Sequence, residues 1–336
     1  YYSANGNVIP EASTVAQAAA FMLSGLGVVW WRRKRAAHNR ALFRGVVAGI
    51  CLLPPTVLMG ATLPAIARWL ETTPQGVAWL GFFYGGNIAG AVVGSLLAGF
   101  YLLRVHDSAI ATFVAIGLNI GVAALALFIA KSAPYRAPEV SAPGAPETTA
   151  RAAGSGVIYV AIALSGMTAL ASEVIWTRIL SLLFGATTYT FSLILAAFLF
   201  GLGIGSSAGS ALARSLARPR VALAWCQLLL CAAIAWSAYA LTQSLPYWPI
   251  NPSISSDPWF TLQLDLVRCL WALLPAAILW GASFPLALAS VAAPGQDPAR
   301  LVGGVYAANT VGAIVGSVSA GLLLVERRGP QVGGHA

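Results

Sequence analysis

Charge is scarce in this chain. Asp, Glu, Lys and Arg together make up 9% of its 336 residues, whereas a soluble domain carries about 25%. That shortfall excludes an ordinary soluble surface. Acidic residues are the scarcer sign, ten against nineteen basic ones, and only four are aspartates (Asp107, Asp257, Asp265 and Asp297), dispersed and mostly in loops. Histidine occurs three times, at 38, 106 and 335. Such scatter argues against a metal centre. The four cysteines, Cys51, Cys226, Cys231 and Cys269, form no CxxC pair and lie in or beside apolar runs. They read as small core hydrophobes, with no disulfide or metal role. The net +9 sits mostly in loops. It suits anionic lipid headgroups, and nucleic acid is not an expected partner, because no soluble domain remains to display a binding face.

Apolar length is what the chain has. Hydrophobic residues reach 58%, and mean hydropathy is +0.78. A membrane span needs about 20 predominantly apolar residues. Nine stretches qualify: 15–31, 43–67, 78–103, 109–130, 157–183, 188–212, 221–243, 264–291 and 300–325. The expected fold is an all-α, polytopic membrane bundle.

Two sets of spans carry the same pattern. The first reads Leu53-Pro54, Gly60-Ala61 and Pro64, then Tyr84, Asn87, Gly90-Ala91, Gly94-Ser95 and Gly99. The second reads Leu274-Pro275, Gly281-Ala282 and Pro285, then Tyr306, Asn309, Gly312-Ala313, Gly316-Ser317 and Gly321. The offset is 221 residues at the prolines and 222 at the tyrosines. That period is too long for a solenoid unit. It fits a duplicated bundle of membrane helices, major-facilitator-like, with parallel halves. The expected organisation is a first half-bundle over 1–131, a flexible linker over 132–156 rich in Ala, Pro and Gly, and a second half-bundle over 157–336. Matching the halves makes 221–243 the counterpart of 15–31. On a plan of six spans per half, the nine correspond to the third to eleventh of twelve. The chain opens on Tyr1, with Met22 its first methionine, as expected of a processed product or a fragment.

The connectors differ. Residues 32–44 carry Arg32, Arg33, Lys34, Arg35, Arg40 and Arg44, and residues 212–220 carry Arg214, Arg218 and Arg220. Basic loops belong in the cytoplasm, yet alternation puts these two on opposite sides. Either one span is re-entrant or the count is off by one, and no orientation is assigned. Residues 244–263 hold Trp248, Trp259 and four prolines without Lys or Arg, which suits an ordered cap at the membrane interface.

Glu173 and Arg178 are the only ionisable side chains, tyrosines aside, between Arg151 and Arg214. A charge in mid-membrane costs about 2.5–3.5 kcal/mol on insertion scales. Five positions apart, the two lie about 140° apart around a helix, so they do not pair in an unbroken one. Glu173, Trp176 and Arg178 are therefore substrate-binding or coupling candidates. The bland alternative has Arg178 reaching the interface and Glu173 capping a helix broken near Ser165-Gly166. Tyr84 with Asn87, and Tyr306 with Asn309, are expected to be buried polar pairs at equivalent places, lining a cavity or bonding between helices. Asn119 is a third buried amide without a match. Pro54, Pro64, Pro275 and Pro285 kink their helices, as hinges beside a binding site or as fixed curvature. Gly201-x-Gly203-x-Gly205 lies inside an apolar run and lacks the preceding strand of a nucleotide loop. It reads as close helix packing, as do Gly90/Gly94 and Gly312/Gly316.

The run Ser165-Gly166 followed by Glu173-Val174-Ile175-Trp176-Thr177-Arg178 resembles the membrane-embedded region of spermidine-synthase-like proteins, in the polyamine aminopropyltransferase superfamily. So do Leu53-Pro54-Pro55 with Met59-Gly60-Ala61-Thr62-Leu63-Pro64, and the Tyr84, Asn87, Gly90, Gly94 series. The resemblance covers almost all of 43–325. It implies a transporter-like bundle followed by a soluble aminopropyltransferase domain. That catalytic domain needs a glycine-rich loop and several acidic residues, which this chain does not supply. No catalytic residue, metal or cofactor is therefore assigned, and the chain alone is not expected to transfer aminopropyl groups. The expected partners are the lipid bilayer, a polyamine or another small solute, and other membrane subunits. The expected location is a bacterial inner (cytoplasmic) membrane. A stand-alone secondary transporter of a small organic solute is the alternative function, and a non-catalytic helical subunit of a larger assembly is the third.

Overall fold

A computed structural model describes residues 35–70, 76–132, 154–248, 257–292 and 298–326. The run 15–31 and nearly all of the linker lie outside the described residues. What is described is helical, with no strand among those residues. The helices are α1 (Arg35–Leu70), α2 (Gly76–Leu96), α3 (Ser108–Ser132), α4 (Ser155–Phe184), α5 (Thr188–Ser215), α6 (Pro219–Tyr239), α7 (Pro258–Val291) and α8 (Pro298–Glu326). The end of α2 widens into a π-helical turn over Leu97–Leu102, and α6 does the same over Ala240–Ser244. Eight helices are long and apolar enough to cross a membrane. The chain is an integral, multi-pass membrane protein, and eight of the nine expected spans coincide with these helices.

Local chemistry sets the helix starts. Asp107 Oδ1 accepts from Ile110 N at 2.8 Å ahead of α3. Thr187 Oγ1 accepts from Thr190 N at 3.2 Å at the start of α5. Asp257 Oδ1 accepts from Trp259 N at 3.0 Å, with Pro258 in the first turn of α7. Each side chain satisfies an amide that the first turn leaves unpaired. Gly154 and Gly185 flank α4 with φ of 77° and 92°, a backbone that side chains with a Cβ rarely adopt. Pro54, Pro64, Pro275 and Pro285 all lie inside continuous helices.

Close approaches fix the helix directions. A Cβ on Gly312 would meet the Ala163 carbonyl, and one on Gly316 the Met167 carbonyl. Both numbers rise together, so α4 and α8 run parallel. Gly205 faces Ile278 and Gly209 faces Ala282, which makes α5 and α7 parallel. Gly85 faces Ser207 and Gly99 faces Ser192, so α2 is antiparallel to α5. Since α4 and α5 form an antiparallel pair across the short turn at Gly185, α2 and its sequence match α8 point the same way. Packing of this kind gives membrane helices their cohesion, because hydrocarbon tails are as apolar as leucine.

Burial is uneven. In the second half, α7 is enclosed along most of its length, from Arg268 to Val291. Its sequence match α1 has no buried residue over Gly49–Ile66, and α3 has none at all. Cys226 and Cys269 are buried as expected, but Cys51 and Cys231 are exposed, which corrects the core reading for those two. The physical reason is that cysteine is small and apolar enough to face lipid.

Candidate functional site

Three clusters hold the side chains of interest. The first lies inside the second half. Its buried stripe on α4 runs Ile162, Gly166, Ala169, Trp176 and Leu180, at the three- and four-residue spacing of one helix face. Glu173 occupies the same stripe, between Ala169 and Trp176, and is half-buried. Helix α4 is unbroken through Ser165-Gly166, so the expectation of a carboxylate capping a broken helix is not met. Trp176 packs against Phe198 of α5 and Trp280 of α7, with ring centroids 6.4 and 5.5 Å away, and Phe198 and Trp280 are 5.9 Å apart. Trp280 Nε1 donates to Thr168 Oγ1 at 3.2 Å. All three rings are buried. Among the described residues neither Glu173 nor Arg178 has a hydrogen bond or an ion pair. Arg178, half-buried, projects from another face of α4 beside the exposed Ile175 and Leu182.

The second cluster joins the halves. Tyr84 of α2 stacks on Phe284 of α7 with centroids 5.2 Å apart and planes 21° from parallel. Tyr306 of α8 meets the same ring edge-on at 6.2 Å and 89°. Leu63 of α1 packs against the wider apolar cluster to which Phe284 belongs. Leu63 and Phe284 are matched by the repeat, each next to its proline, as are Tyr84 and Tyr306. The two matched tyrosines thus converge on one ring, Phe284.

The asparagines do not share that symmetry. Asn309 is half-buried, with its backbone and side-chain oxygens against Gly166 of α4. Asn87 is exposed, and so is Asn119, whose Nδ2 donates to Ala115 O one turn back at 2.9 Å. These two positions correct the expectation of buried amides. Gly90 and Gly94 depart from expectation as well, with no described atom within 4 Å of an added Cβ. For Asn87, Gly90 and Gly94 the reason is one of neighbours: α8 packs this face on α4, whereas α2 spends its opposite face on α5.

The third cluster was missed in the sequence. Arg268 is 6% exposed, and its Nη1 bonds Asp265 Oδ1 at 3.2 Å. Its guanidinium carbon lies 5.9 Å from the centre of the Phe184 ring. Its Nε has no hydrogen-bond partner. The pair sits two to three turns into α7, where a charge reads as the edge of a span. The Asp-x2-Arg spacing, which places both on one helix face with Cys269 and Ala272 beside them, was the available signal. Around it stands an aromatic belt. Trp236 and Trp271 pack edge-on at 5.0 Å, and Trp248 lies 6.4 Å from Trp271. Trp248 Nε1 donates to Ser244 Oγ at 3.1 Å. Clustered tryptophans at a bundle end mark the level of the lipid headgroups.

Chemically, these clusters offer one carboxylate within the bundle, one internal ion pair and two aromatic junctions. Comparison with protein-family models, with curated proteins and with solved structures finds no match.

Proposed function

We propose that this chain is the membrane-embedded, transporter-like part of a spermidine-synthase-like protein in a bacterial cytoplasmic membrane. Its major-facilitator-like bundle takes a small organic cation of the polyamine class at Glu173. One observation carries this reading: Glu173 lies on the packing stripe of α4 without an ion pair or hydrogen bond among the described residues. A carboxylate held within the hydrocarbon region is functional by default, and a cationic solute supplies the missing counter-charge. Trp176, one turn away, anchors a three-ring cluster, and aromatic faces attract ammonium groups by roughly 0.5–2 kcal/mol. The ordered motifs from Leu53 to Gly321 support the family assignment.

The test is uptake of labelled putrescine and spermidine into liposomes holding the purified chain. Uptake by the wild type and its loss in Glu173→Gln, with unchanged reconstitution, is the expected result. Uptake retained in Glu173→Gln removes Glu173 from the site. Uptake of other organic solutes but of no polyamine favours a secondary transporter of a different substrate.

A further inference from the structure

Pro275 and Pro285 each deprive the residue four positions back of its helical hydrogen bond, because proline has no N–H. The carbonyls concerned are those of Trp271 and Gly281, both inside α7. The first is provided for: Trp236 Nε1 of α6 donates to the Trp271 carbonyl at 3.0 Å. The Gly281 carbonyl receives no such side-chain donor among the described residues.

Two hydroxyls share that condition on the neighbouring helix. Ser206 Oγ and Ser210 Oγ of α5 are buried and have no hydrogen-bond partner, and Ser206 is wholly enclosed. A serine inside a helix can bond the carbonyl one turn back, as Ser237, Ser283 and Ser290 do here. A bare buried hydroxyl is destabilising, so two of them four residues apart point to a bound group.

The three oxygens belong to one place. A Cβ on Gly281 would meet the carbonyl of Leu202, which opens the turn that ends in Ser206. A Cβ on Gly209, next to Ser210, would meet Pro285. Gly205 and Gly209 face α7, whereas Gly203 faces Ile88 of α2. At about 100° per residue, Ser206 and Ser210 lie between those faces, towards the wedge between α7 and α2. The stacked rings of Tyr84 and Phe284 stand at the same level, since Gly85 lies against Ser207 and Pro285 against Gly209.

The donor set is two hydroxyls and one carbonyl, all hard and neutral. Hard oxygens suit a hard cation. Calcium and magnesium sites are built on carboxylates, which this set lacks. A carbonyl released from helical bonding is the kind of ligand that takes sodium within membrane bundles. We propose that Ser206 Oγ, Ser210 Oγ and the Gly281 carbonyl are ligands of a sodium ion held between α5 and α7 beside the Tyr84–Phe284 stack. The inference is independent of what the protein carries at Glu173.

The test is thermal unfolding of the full chain in detergent at constant ionic strength, with sodium exchanged stepwise for choline, together with retention of radioactive sodium. The wild-type melting temperature is expected to rise saturably with sodium. Ser206→Ala and Ser210→Ala are expected to lose both that rise and the retained ion. In choline they are expected to melt no lower than wild type, since each removes a hydroxyl that lacks a partner there. Ser290→Ala, which removes a hydroxyl already bonded to the Leu286 carbonyl, is expected to keep the rise. Pro285→Ala returns an amide to the Gly281 carbonyl and is expected to weaken sodium binding, which gives a second reading should a serine variant fail to fold. A wild type that melts alike in sodium and choline overturns the proposal and leaves an ordered water as the partner of the hydroxyls. A sodium-dependent rise that survives in both serine variants and in Pro285→Ala overturns it too, because the ion is then bound elsewhere.

Discussion

Tyr84 and Tyr306, 222 residues apart in sequence, both lie against the ring of Phe284, one stacked at 5.2 Å and the other edge-on at 6.2 Å. The halves of the bundle meet where the repeat predicts equivalent residues. Aromatic pairs of this kind contribute about 0.5–1.5 kcal/mol each beyond burial. Phe284→Ala is therefore expected to lower resistance to unfolding by about 3–5 kcal/mol. A double-mutant cycle with Tyr84→Ala should show coupling on the scale of one aromatic pair. Denaturation in mixed detergent micelles measures both, and strict additivity would refute the contact.

Arg268 is buried and its partner Asp265 half-buried, so removing Asp265 strands a buried guanidinium and removing Arg268 leaves a carboxylate without its counter-charge. Arg268→Ala is expected to destabilise by about 3–5 kcal/mol, and the double change Asp265→Ala, Arg268→Ala by less than the two single losses combined. The same unfolding assay decides it. A double variant as poor as the sum of the singles shows that the pair does not act as a unit.

Small residues at helix crossings are expected to tolerate nothing larger. Gly205→Ala and Gly312→Ala each force a Cβ into a backbone carbonyl, at a cost of about 1–3 kcal/mol. Gly117→Ala on α3, with no described atom within 4 Å, is expected to be neutral or slightly stabilising. Melting temperatures of the three variants in one detergent give the ranking.

Trp280→Phe keeps a ring in the Trp176, Phe198 cluster but removes the donor to Thr168. A hydrogen bond between membrane helices is worth about 0.6 kcal/mol, and the smaller ring adds a packing loss. A stability loss of about 1–2 kcal/mol is expected. Thr168→Val in the Trp280→Phe background should then add little, and a large additional loss argues against the bond.

The membrane class, the helical fold and eight of the span positions were legible from composition and run length. Those signals are local: a segment too apolar for water must cross the bilayer as a helix, whatever surrounds it. The repeat was equally legible, and so was the close packing at Gly201, Gly205, Gly312 and Gly316. The convergence of Tyr84 and Tyr306 on Phe284 was not, because a repeat states which residues are equivalent without saying which of them meet. Burial at Asn87, Gly90 and Gly94 was misread for the same reason. Their sequence matches theirs on α8, but burial belongs to the neighbouring helix, and α2 and α8 have different neighbours. The Asp265–Arg268 pair escaped notice because charge near the start of a span looks like its boundary until the depth of α7 in the bundle is known. Sequence alone determined which segments are helices and which residues correspond. Tertiary structure alone decided which of the corresponding faces are covered, since lipid drives no choice between equally apolar surfaces and only backbone approach and side-chain fit can make it.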